Sequence, residues 1–149
     1  MQKRLVFSLR QGDNPFTMRL SIVALLCLLL LPACNMKERY ARNNKATTAW
    51  LETNSGKSAV NIAGPWIATS EHWGEILLEQ KGAQVKGKFG EYSAEGHVNG
   101  STVYLALRSS GWTYYTAILK KTGKSLKGYY SGYVPFSTTD QRELVLEKR

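Results

Sequence analysis

The side chains that could do acid–base, metal or nucleophile chemistry are few: the chain has two histidines and two cysteines in 149 residues. His72 follows Glu71 and precedes Glu75 by three positions, and His97 lies two after Glu95. A general acid–base pair or a metal site would require one of these imidazoles to converge on Glu71, Glu75 or Glu95. Cys27 and Cys34 are too few for a zinc cluster or an iron–sulfur centre. There is no Gly-rich phosphate loop and no nucleophile-elbow spacing. The residues therefore predict a non-enzymatic protein that needs no cofactor and no metal.

Aromatic residues are the more informative excess. Tyr and Trp offer flat apolar surface with a polar tip, which suits the rim of a small-molecule pocket. Trp66, Trp112, Tyr114, Tyr129 and Tyr130 are the expected ligand-contacting residues, with Gly111-Trp112, Tyr129-Tyr130 and Tyr133 at the rim. The competing reading has equal weight: strands are rich in aromatics whatever their function, and a small barrel can simply be filled. The register of residues 112–120 is ambiguous by one, so the pattern alone does not say which tyrosine faces inward.

The elements that must position these residues are strands. From residue 61 the chain shows short alternating apolar runs, broken about every ten residues by Lys81-Gly82, Gly90-Glu91, Asn99-Gly100, Ser110-Gly111 and Thr122-Gly123. Ile76 and Leu78 alternate with Glu75 and Glu79, and Val103, Leu105 and Leu107 with Thr102, Tyr104 and Arg108. Period two marks strands with one buried face. Eight strands are expected near 62–70, 74–80, 83–89, 93–98, 102–108, 113–120, 125–133 and 142–147, with Asn99-Gly100 as the strongest type I′ hairpin signal. Tight turns without a crossover helix imply an antiparallel meander, which loses its open edges by closing. The expected fold is all-β, an eight-stranded antiparallel up-and-down barrel, with a two-sheet sandwich as the alternative. Gly87, Gly96 and Gly128, inside strands, are expected at barrel corners.

Gly64-Pro65-Trp66 at the first strand, the recurring Val85-Lys86-Gly87 and Leu126-Lys127-Gly128, and the terminal Leu144-Val145-Leu146 resemble the lipocalin-like and avidin-like barrels of the calycin group. The resemblance covers residues 61–149 and implies architecture, not a ligand. A shorter motif, Ser110-Gly111-Trp112-Thr113-Tyr114, resembles the Ser-Gly-x-x-Tyr loop of periplasmic lysozyme inhibitors. That resemblance implies that Ser110, Gly111 and Tyr114 form a loop entering a muramidase cleft, with Lys120 or Lys121 adding charge; the disulfide cysteines common in those inhibitors are missing here.

Residues 1–33 have the three parts of an export signal: basic residues including Lys3, Arg4, Arg10 and Arg19, the unbroken apolar run from Ile22 to Leu31, and a small residue, Ala33, before Cys34. Ten apolar residues span about 15 Å as a helix, half of a hydrocarbon core of about 30 Å. Leu31-Pro32-Ala33-Cys34 resembles the lipobox of bacterial lipoproteins, with Pro32 departing from the usual residue. The resemblance implies cleavage between Ala33 and Cys34, acylation of Cys34, attachment to the membrane through acyl chains and, with Asn35 in place of Asp, an outer-membrane location facing the periplasm. Met18-Arg19 would itself begin a compact signal. Cys34 would then be the sole remaining cysteine, so no internal disulfide is available.

Residues 34–60 are polar and few are apolar beyond Trp50 and Leu51, which predicts a flexible linker reaching about 25–31 Å. A short helix over 47–53 is compatible with the residues, and Trp50-Leu51 is placed to dock on the barrel or at the bilayer. The formal charge of +9 is shared evenly by residues 1–34, 35–63 and 64–149, without a dense basic run. That distribution argues against a nucleic-acid partner and for mild attraction to anionic lipid or acidic glycan. The expected role is a non-catalytic envelope module binding a small apolar or amphipathic ligand or an envelope protein. A muramidase inhibitor and a structural envelope component are the alternatives.

Overall fold

A computed structural model of the chain describes residues 36–149; the expected signal, Ala33 and Cys34 lie outside the described residues. Eight strands follow one another: β1 (Gly64–Ala68), β2 (Ile76–Lys81), β3 (Gln84–Phe89), β4 (Tyr92–Asn99), β5 (Thr102–Ser109), β6 (Trp112–Thr122), β7 (Ser125–Ser131) and β8 (Gln141–Lys148). Each pairs antiparallel with its sequence neighbours, and β8 returns to β1 through Trp66↔Lys148, Ile67↔Glu147 and Ala68↔Leu146, which closes the barrel. All eight expected strands are present, and the sandwich alternative is excluded by the β1–β8 ladder.

The interior is filled. Leu78, Val85, Leu105, Leu119, Leu126 and Leu146 alternate with outward-facing residues and meet in one buried cluster that also takes in Trp66, Phe89 and Tyr130. At about 25 cal/mol per Å² of buried apolar surface, this cluster is the main source of stability. Inward-facing glycines let neighbouring strands approach closely. A Cβ on Gly96 would stand 1.9 Å from the Tyr104 carbonyl oxygen, and one on Gly128 2.1 Å from that of Ile118.

The barrel has two unlike ends. The loop end carries residues 69–75 and 132–140 with the turns 90–91 and 110–111; the turn end carries the tight turns 82–83, 100–101 and 123–124. The type I′ turn is found at Ser110-Gly111, where φ is +51° and +80° at the two central residues. It is not at Asn99-Gly100: Asn99 pairs with Thr102, so the turn is centred on Gly100-Ser101 with positive φ at the glycine only. The ambiguous register resolves as a β-bulge. Leu107 pairs with Tyr115 but Arg108 pairs with Thr113, so Tyr114 is the extra residue. One inserted residue reverses the in–out parity, which is why the pattern did not read cleanly.

The stretch expected as a flexible linker is largely ordered. Residues 36–53 are helical (α1), with Thr47 and Leu51 buried. Tyr40 stacks on Trp112 at 5.2 Å, the Asn44 amide donates to Gly111 O at 2.7 Å and accepts from Thr113 N and Oγ1 at 3.0 Å, and Trp50 meets Tyr104 edge-on at 5.7 Å. The helix thus starts by the loop end and runs along the outer face of β5 and β6 toward the turn end. Outward-facing Ala106 is fully buried, as expected beneath a docked helix. Among the described residues, no helix is long and apolar enough to cross a membrane.

Beyond α1 the chain forms a strap across the turn end, held by a backbone bridge to Gly100 and by the Gln80 side chain. Gln80 Oε1 accepts from Ile62 N at 2.8 Å, while Nε2 donates to Val60 O at 2.9 Å, Ser58 Oγ at 3.0 Å and Gly82 O at 2.8 Å. Gln80→Leu strands these groups, and an unsatisfied buried donor or acceptor costs about 1–3 kcal/mol. Amide exchange at Ile62 and Ala59 is expected to accelerate at least tenfold while Leu105 and Leu119 keep their protection. Uniform acceleration would mean that the strap and the barrel open together.

Candidate binding site

The loop end gathers the aromatic residues around one side chain that sequence reasoning left outside the site. Loop 69–75 is tied to β8 by Thr69 N to Val145 O at 2.9 Å and by Val145 N to Ser70 Oγ at 3.2 Å. It then folds over the 90–91 turn, where Gly90 N donates to Glu75 O at 2.9 Å and a Cβ on Gly90 would lie 1.9 Å from Trp73 O. That close approach puts Trp73 over the barrel's end. Its ring is gripped edge-on by Phe89 at 5.3 Å, Tyr115 at 5.4 Å and Tyr130 at 5.0 Å, with Tyr92 at 6.2 Å. These separations and steep angles suit the aromatic quadrupole. The Trp73 Nε1 is buried with no hydrogen-bond partner among the described residues.

A pocket of about 560 Å³ opens beside Trp73, lined by Glu71, His72, Glu75, Glu91, Tyr92, Tyr115, Tyr130 and Arg142 among others. Its size falls in the ordinary range for small-molecule sites. Tyr130 Oη donates to Glu71, with oxygens at 2.7 and 2.8 Å, and the Arg142 guanidinium lies 5.9 Å from the Tyr130 ring centre. The pocket therefore offers aromatic edges and faces, carboxylate acceptors and one guanidinium.

Burial, reinforced by the bond to Glu71, raises the Tyr130 phenol above its usual 10.0, with Arg142 opposing. Burial and the Tyr115 hydroxyl raise Tyr92 likewise. A group whose folded pKa exceeds its unfolded value stabilises the fold fully below the unfolded value and loses that contribution as pH rises through the folded one. The urea midpoint is therefore expected to be flat from pH 7 to 9 and to fall above pH 10. Tyr130→Phe should make that fall shallower; an identical alkaline slope in the variant would remove Tyr130 from the account.

The other expected site residues are dispersed. Trp66 is 2% exposed and belongs to the core at the turn end, with Nε1 donating to Ile62 O at 2.8 Å. Trp112 is covered by Tyr40 of α1. Tyr114 is 40% exposed and reaches the edge of the site through Tyr92 at 5.9 Å. Tyr129 points out from the barrel wall, 46% exposed. Of the five residues expected to touch a ligand, only Tyr130 lines this pocket. Ser110 and Gly111 form the exposed tip of a two-residue turn whose flank is fixed by Asn44.

His72 lies in the loop-end pocket and His97 on β4 toward the turn end, so the two imidazoles are not brought together. Among the described residues, no cluster of three His, Cys, Asp or Glu side chains could hold a metal ion. Comparison with known proteins finds no matching family model, curated protein or solved structure.

Proposed function

We propose that this protein is a lipid-anchored envelope lipoprotein whose barrel is a non-catalytic binding module, with its ligand held at the loop end and not inside the barrel. The filled interior argues against a carrier that encloses its cargo. The observation that carries the reading is the open pocket at Trp73, where an indole clamped over four rings stands beside Glu71 and Arg142. Such a site suits a small amphipathic molecule with a flat apolar part against Trp73 and the tyrosines. Its polar head would lie at Glu71 and Arg142. The signal-like N-terminus and Cys34 supply the address.

Native mass spectrometry of the full acylated chain, released from detergent after incubation with envelope extract, tests this. The expected result is a non-covalent adduct that is reduced by Trp73→Phe or Glu71→Gln. A clean ligand-free mass in the native chain would overturn the reading, and the mass of the N-terminal peptide reports acylation of Cys34 separately. The muramidase-inhibitor alternative draws on the exposed tip at Ser110 and the exposed Tyr114. Lysozyme rates unaltered at saturating protein would end it.

A further inference from the structure

We propose that the turn end is a docking surface for a carboxylate-bearing envelope glycan, facing away from the bilayer. The even spread of charge along the sequence conceals an uneven distribution in the fold. Closing the barrel gathers Lys57, Lys81, Lys120, Lys121, Lys124 and Lys148 at the turn end, from the strap, three strand ends and one turn. The loop end instead carries Glu71, Glu75, Glu91 and Asp140, with Lys88 paired to Glu75 and Arg142 to Asp140.

Among the described residues, none of these six lysines belongs to an ion pair. Of the acidic side chains in the same region, Glu147 accepts from Ser125 Oγ at 2.7 Å and Glu79 is exposed on β2. Two of the ammonium groups are fixed in place. Lys148 Nζ lies 4.8 Å and Lys121 Nζ 5.5 Å from the centre of the buried Trp66 ring. Each also donates to a backbone carbonyl, Lys148 to Ala63 and Lys121 to Gly123. Two cations sharing one ring stand no more than about 10 Å apart, so their repulsion is relieved when an anion bridges them. Because Trp66 and the carbonyls hold them, little side-chain freedom is lost on binding.

The choice of a glycan over a lipid surface comes from the direction of α1, and in this it rests on the anchor reading. The helix begins by the loop end, where Tyr40 meets Trp112, and reaches the turn end through Trp50 and the strap. Cys34 precedes Glu38 by four residues, a reach of at most about 14 Å. The acyl chains would therefore hold the loop end toward the bilayer, and the lysines would point away. A polymer with acidic groups on successive sugars can engage several ammonium groups at once, and its attraction is screened by salt.

The full acylated chain on neutral phosphatidylcholine vesicles, titrated with fluorescent polygalacturonate, tests the proposal. Binding is expected in 20 mM NaCl and should weaken at least tenfold in 150 mM. Lys81→Gln with Lys124→Gln, neither contacting Trp66, should weaken it about tenfold, while Glu143→Gln, exposed on β8 toward the opposite end, should leave it unchanged. No binding at low salt, or full binding by the double variant, would overturn the proposal. So would equal affinity for duplex DNA, or capture of separate phosphatidylglycerol vesicles in preference to the polymer. Flotation with the vesicles before polymer is added reports on the anchor alone. A chain that fails to float loses the orientation argument, and titration in solution still decides whether these lysines bind the glycan.

Discussion

Gly96→Ala and Gly128→Ala are expected to lower stability by about 3 kcal/mol or more each, a large fraction of the total for a domain of this size. The new Cβ would meet backbone, not a side chain that could swing aside. At Gly96 the obstacles are Tyr104 O at 1.9 Å, Tyr104 C at 2.9 Å and Leu105 Cα at 3.1 Å; at Gly128 they are Ile118 O at 2.1 Å with Ile118 C and Leu119 Cα at 3.0 Å. Relief requires neighbouring strands to part in the middle of a closed ladder. Gly123→Ala is the control: its φ is +57° but nothing lies within 4 Å, so only the left-handed strain remains, about 1–2 kcal/mol. In urea, with a slope of about 1–3 kcal/mol per M, the interior variants should lose about 2 M of midpoint and the control about one to two thirds of that. Equal losses in all three would mean that the strands are farther apart than described.

The barrel was legible because its rules are local. Period-two alternation in 76–79 and 103–108 fixed which face is buried, and the glycine turns fixed where the chain reverses. What escaped reading depended on partners distant in sequence. Tyr40, Asn44, Thr47 and Leu51 follow helical spacing, yet two of them are polar and the apolar stripe is narrow. Such a helix is marginal alone and owes its order to the outer face of β5 and β6. Trp73 sits in a loop with no periodicity, and only the close approach of Gly90 to its carbonyl places it over the barrel end. The bulge at Tyr114 exchanged the inward and outward tyrosines. The lysines of the turn end lie as far apart in sequence as Lys57 and Lys148, so only the closed meander brings them together.

Truncating Trp73 is the other change with a large expected effect. Trp73→Ala removes the ring that Phe89, Tyr115 and Tyr130 pack against edge-on and opens the end of the core. Truncations of this kind cost about 3–5 kcal/mol, and the partial exposure of Trp73 argues for the lower end, about 3 kcal/mol. The loss should be local at first: near-ultraviolet circular dichroism from the tyrosines should fall, while amides of β6 and β7 near the turn end stay protected.

Trp73→Phe separates the two properties of the indole. It keeps a ring among the other rings but removes an N–H that is buried without a partner, and relieving such a group offsets part of the lost packing. The net cost is expected to be about 1 kcal/mol or less. A penalty as large as that of Trp73→Ala would show that the full indole is needed to close the barrel's end. If instead Trp73→Phe is nearly neutral for stability yet reduces the adduct formed with envelope extract, the full indole surface contributes to the bound molecule's site beyond its part in packing. Stability and binding would then part company at a single side chain, Trp73, which packing alone does not explain.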